Sequence, residues 1–387
     1  MDAGSYLDDS FHIESHVALL PQPVPAGTAG RTLDAIVVPT IKPRSLQTAT
    51  VLATELGCAL VVLCSTEDQA QLTRSKYGRP GDDMFVTYVP RSFAHKLPWN
   101  LTFGHPEKDV ARSCHVDIAR KRNVGLLLAR LCGWRTVMYL DDDIRGVTAD
   151  AVSRAADLTA CFKAVGFEVS DYPDNSVVCH AHRLTGGDQD VFPGGSALVI
   201  DAAQCDTLFP PVYNEDWFFL FDAVQDRSVT VAGALGQREY QPFARSSRAA
   251  AEEFGDLIAE GLYRLVHQGA DLAAATQEYW RGALERRFQL IDDIAARLVL
   301  LDDGPLIGPA LVSLTAARKR LATISALACV SFIRAWRTDL AAWRQVLADL
   351  DMVGDLADAM KILKLSILPP PPGPSSTSPA LDRCVNQ

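Results

Sequence analysis

Short runs of consecutive apolar residues alternate with amphipathic stretches at the start of the chain. Residues 35–40 form one such run, which Pro39 and Thr40 close, and residues 59–64 form a second. Between them, residues 46–56 have helical spacing. Continuous apolar runs of this length are typical of parallel strands that are buried on both faces. The alternation of strand and helix therefore predicts a right-handed parallel βαβ unit.

The same alternation continues through the next hundred residues. It predicts a third strand at 85–89, a helix at 109–132 and a strand at 136–140. The first 150 residues are thus typical of a doubly wound nucleotide-binding half with a Rossmann-like sheet. Further short strands that extend this sheet are predicted at 176–182, 195–200 and, more weakly, 229–233.

From about Ser247 to Leu365 the apolar residues recur with helical spacing, which predicts a C-terminal α-helical region. The longest uncharged apolar stretch in it, residues 321–333, predicts a buried helix, because a bilayer span needs roughly 20 residues. We expect no transmembrane segment. The apolar faces of this region exceed what one sheet edge can cover, which favours a homo-oligomer interface there.

The two ends of the chain lack such periodicity. Residues 1–30 contain Pro and Gly, so we expect a flexible leader with order beginning near Leu33. They contain acids but no Lys or Arg, and we therefore expect no signal peptide. Residues 368–387 are rich in Pro and Ser and predict a disordered tail. These boundaries divide the chain into 1–30, 31–246, 247–367 and 368–387.

Composition excludes some classes of function. The net charge is −10, which disfavours an extended nucleic-acid surface, since such surfaces need clustered Lys and Arg. The nine cysteines include no C-x-x-C pair, and several lie in apolar segments. This pattern predicts buried free thiols in a reducing compartment, and we expect a cytoplasmic protein.

The strand at 136–140 ends in three consecutive carboxylates, Asp141, Asp142 and Asp143. This position places hard oxygen ligands at the carboxyl edge of the sheet, where open α/β folds bind ligands. Three adjacent acids repel one another unless a cation compensates them. The alternative is an acidic turn in which Asp143 caps the helix after Gly146. We favour a metal-nucleotide site, because a cap needs only one acid.

Basic residues precede the same strand. Lys121, Arg122 and Asn123 lie in the helix that leads into it. Basic groups beside an acid-bound cation are suited to a nucleotide diphosphate.

Another acidic pair, Glu215 and Asp216, follows a Gly194–Gly195 loop and precedes the apolar helix that starts at Trp217. The ordered set of these motifs, from residue 33 to about 243, resembles nucleotide-sugar glycosyltransferases of the GT-A fold, most closely the family 2-like group. The resemblance implies a GT-A type mixed sheet and sugar transfer from a UDP- or GDP-sugar to a hydroxyl-bearing acceptor. The helical C-terminal region lies outside it.

The resemblance also implies roles for individual positions. Asp143 and Asp141 would be the outer acids of a D-x-D motif that holds Mn²⁺ or Mg²⁺. In inverting members, an acid at the place of Asp216 removes the acceptor proton, with Glu215 beside it. Both acids could instead cap the following helix. The remaining implied contacts are to the nucleotide-sugar, through Pro39, Thr40, Lys121, Arg122, Asn123, Asp141 and Asp142, and to the acceptor, through Gly194, Gly195 and Trp217.

Two other pairs of residues have simpler interpretations. His180 and His182 would share one face of a strand, but without a third ligand a structural role is favoured. Trp336 and Trp343, seven residues apart, predict core packing on one helix face, or a dimer interface.

Two other functions compete with sugar transfer. A sugar-phosphate nucleotidyltransferase usually has a glycine-rich loop after its first strand, and residues 39–44 contain no glycine. A non-catalytic binding or scaffold protein would not need the intact acids at Asp143 and Asp216. We therefore expect a hexosyltransferase.

Overall fold

The computed structural model describes residues 15–22, 30–41, 45–79, 81–98, 114–169, 171–172, 175–187, 192–301 and 304–369. Within these ranges the chain is a mixed α/β protein with eight strands and eleven α-helices. The predicted α/β class with a helical C-terminal region is confirmed. Its finer assignment to the GT-A type stays a prediction.

The strands and helices have the following bounds. The strands are β1 (Ala35–Pro39), β2 (Ala59–Cys64), β3 (Met84–Tyr88), β4 (Thr136–Leu140), β5 (Ile144–Arg145), β6 (Ala164–Val169), β7 (Ala197–Asp201) and β8 (Val229–Gln237). The helices are α1 (Gln47–Leu56), α2 (Glu67–Tyr77), α3 (Cys114–Cys132), α4 (Ala149–Leu158), α5 (Val177–Leu184), α6 (Glu215–Gln225), α7 (Ser246–His267), α8 (Gln277–Val299), α9 (Ile307–Leu321), α10 (Ala326–Ala348) and α11 (Leu356–Ile362).

The strands form one sheet in the order β3-β2-β1-β4-β7-β6-β8-β5. Strands β1 to β4 are parallel, and β6 and β8 run in the same direction. Strand β7 is antiparallel to both of its neighbours, β4 and β6, and the two-residue β5 is antiparallel to β8. The carboxyl ends of β1 and β4 meet at one edge, where Thr40 and Asp141 follow them.

Helices cover both faces of the sheet because successive side chains of a strand point to opposite sides. Ala35 and Val37 of β1 face a core that includes α3, α5, α6 and the C-terminal helices. Ile36 and Val38 face a second core with α1, α2 and α4. This arrangement confirms the expected doubly wound organisation.

The C-terminal helices share the first of these cores rather than forming a core of their own. Trp280, Trp336 and Trp343 are completely buried. The ring of Phe218 in α6 contacts Trp336 at a centroid distance of 5.2 Å. The predicted core packing of Trp336 and Trp343 is therefore confirmed.

Two sequence-based element predictions are wrong, and one central strand was missed. Residues 177–184 form helix α5, whose N-cap Ser176 accepts a hydrogen bond from the Cys179 amide. His180 and His182 therefore do not share a strand face. Residues 321–333 are not one helix, since α9 ends at Leu321 and α10 begins after the capping residue Ser325. Strand β6 was not predicted.

Part of the expected leader is packed against the protein, so order does not begin at Leu33. His16 is 2% exposed, and its ring contacts Trp217 at 5.0 Å. Thr230 donates a hydrogen bond to the Pro21 carbonyl. Residues 1–14 and 23–29 of the expected leader, and residues 370–387 of the expected tail, lie outside the described residues.

Two composition-based expectations can be compared with the structure. Seven cysteines are free thiols, namely Cys58, Cys64, Cys132, Cys161, Cys179, Cys205 and Cys329, and all of these except Cys161 are buried, as expected. Within the described ranges, no helix combines the length and apolarity needed to cross a bilayer.

Candidate active site

A cleft of about 650 Å³ lies at the carboxyl edge of the sheet. The segments that follow β1 and β4 form part of its wall, and the starts of α6 and α7 form another part. Most of the residues predicted from the sequence meet there, namely Pro39, Thr40, Arg122, Asp141, Asp142, Asp143, Gly194, Glu215, Asp216 and Trp217.

The three consecutive acids are held by hydrogen bonds on different sides. The Asp141 amide donates to the Ser196 carbonyl at 2.8 Å, which fixes the end of β4 against β7. Thr40 Oγ1 donates to Asp142 Oδ2 at 2.7 Å. Helix α4 is capped by the Thr148 hydroxyl, which accepts a hydrogen bond from the Ala151 amide. The alternative that Asp143 caps this helix is therefore wrong.

Arg122 joins the two acidic clusters. Its Nη1 donates to Glu215 Oε1 at 2.6 Å, and its Nη2 donates to both oxygens of Asp141 at 3.1 and 3.2 Å. The residue is 3% exposed. Burial alone would lower the pKa of Arg122, but the carboxylates of Asp141, Glu215 and Asp216 raise it above its ordinary value. A permanently charged, two-pronged cation therefore neutralises acids from both clusters.

Glu215 and Asp216 begin helix α6 but face different partners. Glu215 is buried, and burial raises its pKa to about 8, while Arg122 opposes that rise. Asp216 Oδ2 accepts a hydrogen bond from the Gly195 amide at 2.6 Å, and its Oδ1 accepts one from the Trp217 amide at 2.9 Å. Two amides thus orient the Asp216 carboxylate.

Positions 194 and 195 require glycine because neighbouring side chains fill the space that a Cβ would occupy. A Cβ at Gly194 would lie 2.7 Å from Asp216 Oδ2, and one at Gly195 would lie 2.5 Å from Arg122 Cζ. The carboxylate of Asp216 and the guanidinium of Arg122 therefore account for glycine at these two positions. Gly194 still lines the cleft.

The structure does not bring two of the predicted nucleotide-contact residues, Lys121 and Asn123, to the cleft. Lys121 is completely buried, and its Nζ donates to the Thr40 carbonyl and to Ser65 Oγ and pairs with Asp117. Asn123 is also completely buried and exchanges hydrogen bonds with the backbone of Phe209. Both residues hold the strand ends and a loop in place, and neither lines the cleft.

Two acids of α7 that line the cleft were not predicted from the sequence. Asp256 and Glu260 line the cleft although they belong to the helical region. A signal was present, because Glu252, Asp256 and Glu260 recur every four residues on the predicted helix and therefore share one of its faces. Acids on a buried helix face need partners, which marks them as candidates for a site.

An ion network connects the acids of α7 to the Glu215–Asp216 motif. Arg287, completely buried, donates to Glu253 at 2.8 and 3.0 Å and to Asp256 at 2.7 Å. The other oxygen of Asp256 accepts a hydrogen bond from Asn214 Nδ2 at 3.1 Å. Asn214 has a left-handed backbone with φ of 60° and directly precedes Glu215. The helical region therefore fixes the residue from which α6 starts.

The donor set in the cleft is suited to a hard divalent cation. Asp141 and Asp143 both line it with carboxylate oxygens. Among the described residues, no group of three or more His, Cys, Asp or Glu side chains is placed to hold a metal. Mg²⁺ in nucleotide sites commonly uses one or two protein carboxylates and takes its other ligands from phosphates and water. Asp141 and Asp143 fit that requirement.

The comparisons with known proteins found a similarity of structure and no related sequence. No protein-family model matches the sequence, and no curated protein matches it. The chain is similar in structure to a mannosyltransferase from Pyrobaculum calidifontis in complex with GDP-Man and Mn²⁺, with a TM-score of 0.43 and 15% identity. The similarity covers 85% of this chain and 89% of that one. At this level of similarity, the match assigns no function to the chain.

Proposed function

We propose that this protein is a metal-dependent GT-A type glycosyltransferase that moves a sugar from a nucleoside-diphosphate sugar to a hydroxyl-bearing acceptor. The observation that supports this most directly is the joining of two acidic clusters in one cleft. Arg122 contacts Asp141 of the first cluster and Glu215 of the second. The cleft thus contains acids for a cation beside an acid that can accept a proton.

The acid triplet and the end of β1 would bind the donor, a UDP- or GDP-sugar. Pro39 and Thr40 line the cleft beside the triplet and would contact the nucleotide. Asp143 and Asp141 would hold Mn²⁺ or Mg²⁺. The bound cation would stabilise the negative charge that the diphosphate gains as it leaves.

Asp216 would act as the general base of an inverting transfer. The acceptor hydroxyl would attack the anomeric carbon while its proton passes to a carboxylate oxygen of Asp216, and the nucleoside diphosphate would depart. The amides of Gly195 and Trp217 occupy one lone pair on each oxygen, and a second lone pair on each can accept the proton. Trp217 lines the cleft next to this carboxylate and would contact the acceptor.

Glu215 would act through Arg122 rather than on the substrate. Its carboxylate is buried and receives the Arg122 guanidinium at 2.6 Å. This contact fixes the orientation of the guanidinium that also binds Asp141. Glu215 is therefore best described as a positioning residue for the donor end of the cleft.

The proposal can be tested by measuring the melting temperature of the full chain with UDP- and GDP-sugars, with and without Mn²⁺. A ligand that binds only the folded state raises this temperature by mass action. We expect one donor to raise it, and only when Mn²⁺ is present. Asp143→Ala should abolish the Mn²⁺ response, because it removes a carboxylate ligand. Asp150→Ala, an exposed acid on α4 outside the cleft, is the control.

Either of two results would contradict the proposal. One is that no nucleotide-sugar changes the melting temperature of the unaltered protein at any Mn²⁺ concentration. The other is that Asp143→Ala binds the donor with the same affinity and the same Mn²⁺ response as the control.

A further inference from the structure

One wall of the cleft carries hydrogen-bond donors and positive charge instead of acids. It consists of Asn175, which precedes α5, Tyr240, which follows β8, and Arg245 and Arg248 at the start of α7. We call this set the α7 wall. The proposed function assigns roles to the cleft acids, to Arg122 and to Trp217, but none to the α7 wall.

The start of α7 is electrostatically suited to an anion. The helix is 22 residues long, its N-cap residue is Arg245, and no side chain caps its first amides. Its first turn contains no acidic residue. The positive end of the helix dipole and the unsatisfied amides at such an end favour a negative group. This feature alone would not define a site.

The side chains around this helix end are held in place. The Arg248 guanidinium lies 4.3 Å from the ring centroid of Tyr240, and its Nη2 contacts the Tyr240 hydroxyl at 3.1 Å. That hydroxyl donates to the Asn175 carbonyl at 3.2 Å. Arg248 also pairs with the buried Glu252. The neighbouring Arg245 is exposed and lines the same cleft.

Asn175 provides the second, independent observation. The residue is only 8% exposed and lines the cleft. Its side-chain Nδ2 is buried and has no hydrogen-bond partner among the described residues. A buried donor without a partner is costly, and such groups in folded proteins usually meet a ligand or water. The missing partner is an acceptor, and Asn175 lines the same cleft as Arg245 and Arg248.

We propose that the α7 wall is an anion-binding subsite, which holds a phosphate or carboxylate group of the acceptor. The assignment to the acceptor rests on the proposed function, whereas anion binding itself does not. Guanidinium groups and an amide N–H match the oxygens of either anion, and the Arg geometry permits paired hydrogen bonds. A neutral acceptor would leave the positive charge of Arg245 unused.

The test uses the metal-free full chain and needs no nucleotide. Its melting temperature is followed during titration with inorganic phosphate and, separately, with acetate, at constant ionic strength. We expect at least one anion to bind saturably. Arg245→Ala and Asn175→Asp should each weaken that binding about tenfold or more, because one removes a charge-assisted bond and the other presents a like charge. Arg154→Ala, an exposed arginine on α4 outside the cleft, should bind as the unaltered protein does.

The outcomes separate this inference from the proposed function. Preference for phosphate would indicate a phosphorylated acceptor, and preference for acetate a carboxylated one. No saturable binding, or equal binding by all variants, would overturn the subsite. So would competition between the anion and a nucleoside diphosphate with Mn²⁺, since the α7 wall would then bind the donor. If no nucleotide binds at all, the proposed function fails while the anion result still stands.

Discussion

Arg122 determines how the acids of the cleft are arranged. A lysine could not replace it, because a single ammonium group lacks the planar fork that reaches Asp141 and Glu215 at the same time. Arg122 thereby fixes Asp141, a proposed metal ligand, and Glu215 relative to each other. The guanidinium sets the relative position of the two acidic clusters.

Asp216→Asn should lower kcat by about 10² or more and leave donor affinity nearly unchanged, as expected for loss of a general base. The amide is almost isosteric, so one oxygen can still accept a backbone hydrogen bond at the start of α6. Steady-state kinetics together with donor titration would measure the two effects separately. Nearly normal turnover would reduce Asp216 to a helix-start residue. Retention of the donor's anomeric configuration, read by NMR, would also remove it from the base role.

Asp339 predicts a pH effect on stability that is independent of catalysis. It is 1% exposed on α10, and burial raises its pKa to about 7. In the unfolded state the carboxyl of Asp339 has a pKa of about 3.9, so as pH rises it loses its proton before the folded state does. Stability should therefore fall as pH rises from about 4 to 7, by at most about 4 kcal/mol from this residue. Denaturant unfolding at several pH values should show a smaller fall for Asp339→Asn, and equal falls would refute this assignment.

The residues of the site were only partly predictable. The acids at 141–143 were found because three adjacent carboxylates need a cationic partner, and Glu215 and Asp216 because the family resemblance implies their role. Lys121, Arg122 and Asn123 could not be separated, since adjacent helix positions point about 100° apart and the sequence does not show which one faces the cleft. Only Arg122 does. The α7 wall was missed because its residues come from three separate segments.

Helices α7 and α8 support the Glu215–Asp216 motif across a buried ion network. Arg287 of α8 pairs with Glu253 and Asp256 of α7, and Asp256 binds Asn214. The Tyr213 carbonyl, just before Asn214, packs closely against Gly255 of α7. A Cβ at Gly255 would lie 2.3 Å from that carbonyl oxygen. The helical region is thereby part of the active-site framework.

Arg287→Met should destabilise the protein by about 3–5 kcal/mol, because it leaves two buried carboxylates without their cation. We also expect kcat to fall, since Asn214 loses its fixed partner. Denaturant unfolding and kinetics would measure both. Arg297→Met removes an exposed arginine from the same helix and should change stability by less than about 0.5 kcal/mol. A similar small change in Arg287→Met would contradict the assigned role of the network.

Strands of the sheet were predicted correctly where the sequence contains a continuous apolar run of strand length. β1, β2 and β4 are continuous apolar runs, and their predicted bounds agree with the structure. Helix α5 was mistaken for a strand because it is short and begins with the β-branched pair Val177–Val178, while its Ser176 cap was not recognised. β6 was missed because Gly166 and Glu168 interrupt its apolar run.

The sheet, with the helices that cover it, and the C-terminal helical region share one packed core. The core on the α3 side of the sheet includes residues of β1, α6, α7, α8 and α10. Trp343 of α10 donates a hydrogen bond to the Thr207 carbonyl at 2.8 Å. Apolar residues at the α8–α9 junction are exposed, including Leu300, whose exposed fraction is 84%. The oligomer interface in the helical region stays a prediction.

A chain that ends at Phe243 should be insoluble or strongly destabilised, because it exposes the core face that α7 to α10 cover. Soluble yield and thermal unfolding would measure this. A chain that ends at residue 369 is the matched control and should melt as the full protein does. A soluble, active chain ending at Phe243 with an unchanged melting temperature would show that the helical region is an independent domain.

The position of β7 also affects how the protein is made. The strand lies between β4 and β6, yet it follows both of them in the chain. On the ribosome, β1 to β4 can therefore assemble while the edge of β4 still lacks its neighbour, and open edges of this kind promote misassociation. The nascent chain stays in this vulnerable state until residues 197–201 have emerged and inserted.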